Sequence, residues 1–230
     1  MGDTDLTLQT IAPSHLAYPA ALKTCAAFRK APILNAIGHL ELLSQNPVAL
    51  FCSQQCSGDL ILKVYDLAQA LQNAEIPVIS GFHTPIEQDY LKILLRGTQP
   101  IIHCPARSLH KMRLSPEQKQ AISENRLLLI SPFSSSYPRV TAELAGKRNE
   151  MIGAIAHTIF IAYASPSSKT QAFAQSLISA GKSVITFASP SNPLLQEQSI
   201  VGLDIDAIVR HCLDAQTLQL KEALSIDDER

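Results

Sequence analysis

The segment Ser165-Pro-Ser-Ser-Lys-Thr170 sets small hydroxyl side chains and one cation directly ahead of an amphipathic stretch. At a helix start such residues leave backbone N–H groups pointing at an anion, and Lys169 adds charge, so the chemistry indicated is phosphate binding. The Gly-x-x-x-x-Gly-Lys frame of a P-loop is missing, and Ser167 or Ser168 would serve equally as an ordinary helix cap. Arg148-Asn149 is the second candidate: it interrupts an apolar stretch (Met151, Ile152, Ile155) and is expected to turn its charge toward one rim. Two more polar turns, Ser53-Gln-Gln-Cys-Ser-Gly58 and Ser80-Gly-Phe-His-Thr84, follow apolar runs. The candidate ligand- or phosphate-binding set is therefore Ser53, Gln54, Ser80, Gly81, Thr84, Arg148, Asn149, Ser168, Lys169 and Thr170.

Other chemistries find less support. Residues 103–113 hold two His, two Arg and one Lys with no acid, a local basic segment suited to phosphates or simply to solvent. His83 and His157 stand alone and read as structural. No Ser-His-Asp order and no metal-ligand cluster emerges, so neither a catalytic residue nor a metal or cofactor site is assigned. Glu87 and Glu143 are the carboxylates nearest the candidate loops, without an evident partner. Cys52 and Cys56 are four apart, but no Cys/His pair completes a tetrahedral site. The five scattered cysteines read as small, reduced, buried side chains rather than a disulfide scaffold.

The elements that must carry these loops alternate. Apolar runs at 48–52, 77–80, 100–103, 126–130, 158–163 and 183–187 have strand length. Helical spacing or cap signals fall between them: Leu60, Val64, Leu67, Ala68 and Leu71; Pro85 to Leu95; a start at Ser115-Pro-Glu; Ala142 to Ile155; Ser168 to Ala180, stopped at Gly181. Strands without strict alternation are buried on both faces, as in a parallel sheet covered by helices. The pattern predicts an α/β, Rossmann-like, doubly wound and mainly parallel sheet of about six strands. Ligands of such sheets bind beyond the carboxyl ends of the strands. Residues 1–46 are expected to pack on the core as an extension, 47–190 to form the Rossmann-like domain, and 191–230 to add a helical extension. The last helix is read over 203–225, with Ile205, Ile208, Val209, Cys212, Leu213, Leu218 and Leu220 on one side.

At 230 residues and 46% apolar, the chain can bury one sizeable core, and a formal net charge of −1 provides no overall field for a polyanion. No apolar run approaches the ~20 residues of a membrane span. The start Met-Gly-Asp-Thr-Asp has no basic or apolar signal character, and Leu6 stands where myristoylation prefers Ser or Thr. A cytoplasmic protein without membrane partners is expected.

Several segments resemble one family. Tyr18-Pro-Ala-Ala-Leu22, Ala31-Pro-Ile-Leu and Gly38 look like the entry segment of DprA (also called Smf), the DNA-processing protein that binds single-stranded DNA and loads the RecA recombinase. Val48-Ala-Leu-Phe-Cys-Ser53 sits where that family has a strand ending Gly-Ser-Arg, and Val78-Ile-Ser-Gly81 matches its strand entering Ser-Gly-x-Ala-Arg-Gly-Ile-Asp. Lys147-Arg-Asn-Glu-Met-Ile152 is similar to its Arg-Asn-Arg-Ile-Ile helix, Ser165–Thr170 to its Ser-Gly-Ser-Leu-x-Thr loop, and Ala180-Gly-Lys-Ser-Val184 to its approach to the last strand. Cys52 and Gln54 replace the glycine and arginine of Gly-Ser-Arg. Thr84, Pro85 and Glu87 stand for Arg, Gly and Asp. Glu150 replaces the second arginine of Arg-Asn-Arg, and Tyr163 ends a strand that closes in an acid elsewhere. Of the arginines the resemblance expects at phosphate, Arg148 survives; each lost charge-assisted contact removes roughly 1.5–3 kcal/mol, with His110, Lys111, Arg113 and Arg139 as substitutes. The family's winged helix is not read after Phe187, where a single helix is expected.

The resemblance implies a protein that binds single-stranded nucleic acid, with a RecA-type recombinase as partner and a homodimer as the assembly. Tyr137, Phe82 and Tyr163 are the aromatic residues offered for base stacking. A second reading is a small-nucleotide sensor of the broader SLOG-type superfamily, whose glycosidase motif Pro-Gly-Gly-x-Gly-Thr is absent here. A third is a degenerate paralogue acting through protein contacts.

Overall fold

The computed structural model describes residues 6–197 and 199–227, with the side chains of all of these except 219, 220 and 222–227. The amino-terminal pentapeptide and the Leu220 side chain, on which two expectations rest, lie outside the described residues.

Nine strands form one sheet: β1 (Gln9–Ile11), β2 (Leu34–Gly38), β3 (Val48–Phe51), β4 (Val78–Ser80), β5 (Ile101–His103), β6 (Leu127–Ser131), β7 (Thr158–Ile161), β8 (Ser183–Phe187) and β9 (Val201–Leu203). Their order across the sheet is β1-β2-β6-β5-β4-β3-β7-β8-β9. From β6 to β9 every pairing is parallel. β2 runs antiparallel to β6, and β1 antiparallel to β2. The six expected strands are β3 to β8. The other three come from segments read as extensions: β1 and β2 precede residue 47, and β9 follows residue 190.

The helices are α1 (Gly58–Asn73), α2 (Pro85–Leu94), α3 (Pro116–Ser123), α4 (Ala142–Ile155), α5 (Lys169–Ser179) and α6 (Ile205–Asp227). Their starts are written in the sequence. Thr84 and Ser115 form capping boxes with Glu87 and Gln118, each followed by proline at the first helical position. Thr141 and Ser168 cap α4 and α5 through their hydroxyls. At the far end of α5, Gly181 takes a φ of +75°, the left-handed turn that ends a helix.

Two apolar layers sandwich the sheet. α1, α2, α3 and α6 bury Leu60, Leu67, Tyr90, Ile122 and Ile208 on one face. α4 and α5, with the amino-terminal residues Tyr18, Leu22 and Leu42, bury Met151, Ile152, Ala174 and Leu177 on the other. Parallel strands covered on both sides have little polar surface to show, which is why β3 to β7 are buried throughout. α6 departs from its expected stripe: Ile208 and Cys212 are buried, but Leu213 and Leu218 face solvent. Among the described residues no helix is long and apolar enough to cross a membrane.

Candidate functional site

β3 is the first strand of the parallel run, and the chain winds outward from it in both directions, so the strand order reverses between β3 and β7. That switch point is where an open parallel sheet leaves a crevice at its carboxyl edge. Here the mouth directly above it is stapled shut. Ser53 N–H donates to the Tyr163 carbonyl (2.9 Å), Ser165 N–H to Ser53 Oγ (3.1 Å), and the Ser165 hydroxyl to the Gln55 carbonyl (3.4 Å).

The open space lies beside the staple, between α4 and α5. Both helices leave the carboxyl edge of the sheet, so both positive ends stand at the same rim. They approach closely farther along: a Cβ on Gly153 would lie 2.7 Å from Leu177 Cδ2. Above that contact they frame a groove of about 580 Å³, walled by Ala142, Ala145, Gly146, Ala172 and Phe173. Gln54, His83, Asn149, Glu150, Lys169 and Thr170 supply its polar lining. Four of the ten candidates, Gln54, Asn149, Lys169 and Thr170, thus converge in one groove. Ser168 caps α5 by accepting the Gln171 N–H (3.2 Å), while Ser167 N–H donates to Gln171 Oε1 (2.7 Å). Lys169 and Thr170, the first two residues of the helix, keep amides that have no acceptor within it.

The remaining candidates do not line the groove. Ser80 is wholly buried, donates to the Leu50 carbonyl (2.8 Å) and accepts the Phe82 N–H (3.3 Å), so it belongs to the sheet and not to a ligand surface. Thr84 Oγ1 is used by its capping box. Arg148 does not face the rim: it is 3% exposed, and on α4 it continues the inward stripe of Leu144, Met151 and Ile152. Its Nη1 donates to the Cys104 carbonyl (2.9 Å) and its Nε to Asn149 Oδ1 (2.7 Å), and the guanidinium lies flat over Gly81. Burial lowers its pKa and the nearby Glu87 carboxylate opposes that, which keeps a guanidinium charged in the interior. Arg148 therefore orients Asn149, whose amide then faces the groove.

Glu87 is the residue whose role the loops alone did not reveal. Its buried carboxylate accepts N–H groups from Cys52 (3.0 Å), His83 (2.8 Å) and Thr84 (3.3 Å), tying the end of β3 to the start of α2. The Thr84-x-x-Glu87 capping box was its sequence signal. Glu143 is exposed and pairs with Lys147 at 2.7 Å.

Of the basic segment, His103 is buried at the end of β5, where burial and the Arg148 cation push its pKa down to about 4; it supplies no charge at neutral pH. His110, Lys111 and Arg113 are exposed in the loop after β5, and Arg139 in the loop after β6. The two loops are joined by Ser108 N–H to the Tyr137 carbonyl (2.8 Å), so a basic edge runs along the same side of the sheet. Phe82 is no stacking platform, being 4% exposed and edge-on to His103, whereas Tyr137 is 48% exposed.

An open, doubly wound parallel sheet with a polar groove at its carboxyl edge defines a Rossmann-like α/β protein. The chain belongs to the DNA recombination-mediator protein A family, whose pattern it matches over residues 9–201. Among solved structures it is similar to DNA processing protein A (DprA) of Streptococcus pneumoniae, with 19% identity over 90% of this chain and 75% of that one, TM-score 0.71. It is also similar to DNA processing protein A of Helicobacter pylori, whose structure describes a single-stranded DNA binding mode, with 17% identity over 92% and 98% of the two chains, TM-score 0.72. At these identities the two structures speak for the fold. No curated protein matches the chain.

Proposed function

We propose that this protein binds single-stranded DNA in the groove between α4 and α5 and along the adjacent basic edge, as a DNA-processing and recombination factor. The observation that carries the reading is the convergence of Gln54, Asn149, Lys169 and Thr170 in one groove beside the N-termini of α4 and α5, in a chain of this family. A phosphate seats on the Lys169 and Thr170 amides and the Lys169 ammonium. Asn149 and Gln54 offer amide donors and acceptors to a base or sugar. Ala145, Gly146 and Phe173 give the base an apolar wall. His110, Lys111, Arg113 and Arg139 attract the continuing backbone and stand in for the arginines the family motif would place nearer the crevice. Hydrogen bonding to bases is sparse in this arrangement, so binding is expected to tolerate sequence.

The groove is also the size of one nucleotide, with Lys169 as the lysine lining it, which favours a mononucleotide as second reading. Fluorescence anisotropy with labelled oligo-dT across a salt series separates the two. Binding that weakens with salt and drops in both Lys169→Ala and Lys111→Ala/Arg113→Ala supports the polymer. Loss in Lys169→Ala alone, with competition by free nucleotide, supports the small ligand. A RecA-type recombinase partner and a homodimer belong to the same reading; light scattering and pull-down with a RecA-type recombinase test them.

A further inference from the structure

A second hollow opens at the same edge of the sheet. β2 runs antiparallel to β6, with Asn35 opposite Ser131, so the segment entering β2 rises beside the loops that leave β5 and β6. Among these lies a groove of about 500 Å³, with Leu8, Ile33 and Pro132 as apolar walls and Asn35, Ser134 and Ser135 as polar ones. Ile33 is 56% exposed, and Asn35 is the residue of β2 that is not buried. The Asn35 amide donates to the Phe133 carbonyl (3.4 Å).

Its frame is braced. The Ser131 hydroxyl donates to the Arg107 carbonyl (2.7 Å) and accepts the Phe133 N–H (3.2 Å). Ser108 Oγ accepts the His110 N–H (3.1 Å), and Tyr137 N–H donates to the Ser134 carbonyl (3.0 Å). The hollow is therefore formed before any ligand arrives.

The charge around it is one-sided. Residues 6–40, 90–116 and 125–142, the segments that line and flank the groove, hold ten of the nineteen Lys and Arg and none of the twenty Asp and Glu. The net charge of −1 conceals this, because every acid lies elsewhere in the chain. Arg29 and Lys30 before β2, Lys111 and Arg113 after β5, and Arg139 after β6 are all exposed. Such a field draws in an anion. An apolar hollow with a few amide and hydroxyl groups, set among cations, suits an unstacked base on a phosphate backbone. One loop joins it to the groove between α4 and α5: Pro132, Ser134 and Ser135 line the second groove, Ala142 lines the first, and Tyr137 and Arg139 stand between.

We infer that the groove beside β2 is a second base-binding subsite for one single strand, which is seated at Lys169, crosses the 132–142 loop and lays an unstacked base between Ile33 and Asn35; this rests on the reading of the first groove given above. Gln54 and His83, after β3 and β4, line the first groove, whereas Ser134, after β6, and Asn35, in β2, line the second. The two are thus separated by two to four strand spacings, roughly 10–19 Å. That distance corresponds to about three to six stacked nucleotides.

The test measures anisotropy of labelled oligo-dT of increasing length, from a dinucleotide upward, with the intact chain. Affinity is expected to climb until the strand has about six nucleotides and then to level off. Ile33→Ser, at an exposed position, and Asn35→Ala remove wall and amide without touching a charge. Each is expected to weaken the long strand about tenfold, to leave the dinucleotide unchanged and to keep the salt slope of wild type. A strand just long enough to span both grooves, scanned with a single abasic residue, should show two sensitive positions, of which Ile33→Ser retains one. Equal binding of long and short strands, or wild-type affinity in both variants, overturns the second subsite and leaves the first. Loss at every length alike marks damage to the fold and counts against the subsite. Length-dependent binding that falls in Ile33→Ser but not in Lys169→Ala overturns the first groove and keeps the second. Tighter binding of a poly-Glu peptide than of oligo-dT, lost in Ile33→Ser, assigns the patch to an acidic protein segment and overturns the proposal. No binding at any length overturns both readings.

Discussion

The Arg148 guanidinium and Gly81 occupy one space: a Cβ at position 81 would lie 1.5 Å from Arg148 Nη1. Glycine is needed there for room rather than for backbone freedom. Gly81→Ala should expel the guanidinium from the Cys104 carbonyl at a cost of about 1–3 kcal/mol. Thermal denaturation should register a drop of roughly 2–4 °C for each kcal/mol; an unchanged midpoint would mean that Arg148 has another resting place.

Arg148 and Lys169 should separate stability from binding. Arg148→Ala removes a buried cation that attracts the Glu87 carboxylate and holds the Cys104 carbonyl and Asn149 Oδ1, and should cost about 3–5 kcal/mol, with Arg148→Lys restoring little because it lacks the planar fork. Lys169→Ala, on an exposed helix start, should stay within about 0.5 kcal/mol of wild type. It should nonetheless weaken oligo-dT binding and reduce the salt slope by roughly 0.7. Chemical denaturation and anisotropy on both variants check the contrast; equal destabilisation by the two would defeat it.

Gly146 lines the groove, and a Cβ there meets nothing within 4 Å. Gly146→Ala should therefore stabilise α4 by about 0.5–1 kcal/mol. Gly146→Leu should keep the fold but fill the wall and weaken binding. If Gly146→Leu binds like wild type, the ligand lies elsewhere.

His103 ties stability to pH. Its folded pKa is about 4, against 6.5 for an unperturbed imidazole. Between those values the unfolded chain carries a proton that the folded chain refuses, so stability is full above pH 6.5 and declines as pH falls to 4. The slope should reach about 1.4 kcal/mol per pH unit. Paired urea melts of wild type and His103→Gln over that range isolate the contribution, since carboxylate titrations are common to both. Parallel curves would refute it.

Much of the fold was legible because burial on two faces writes itself as continuous apolar runs, and β3 to β8 fall where those runs lie. β1 and β9 were not, since three residues with solvent on one side carry no period. β2 carries an apolar run, yet Leu34–Gly38 becomes a strand through pairing with β6, which lies far along the chain. The groove was half legible: the carboxyl-edge rule pointed to Gln54, Asn149, Lys169 and Thr170, but not to the α4–α5 gap where they meet. Arg148 was misplaced although its spacing from Leu144, Met151 and Ile152 already set it on the inward stripe. Its charge argued for a rim, and Gly81, Glu87 and the Cys104 carbonyl, distant in sequence, supply what makes the interior tolerable.

The central seam of the sheet also orders the protein's assembly in time. Ala49 in β3 pairs with Ile79 in β4 soon after both are made, but waits for Ile159 in β7 on its other side. During synthesis the β3–β6 half can form early, with β2 added once β6 appears, while β3 keeps one flank open. The groove is then born late, when α4, β7 and α5 dock against that flank. Such long-range closure is slow, so refolding should show the half without a groove before the half that completes it, and nascent chains stalled before residue 158 should expose an unpaired parallel edge to chaperones.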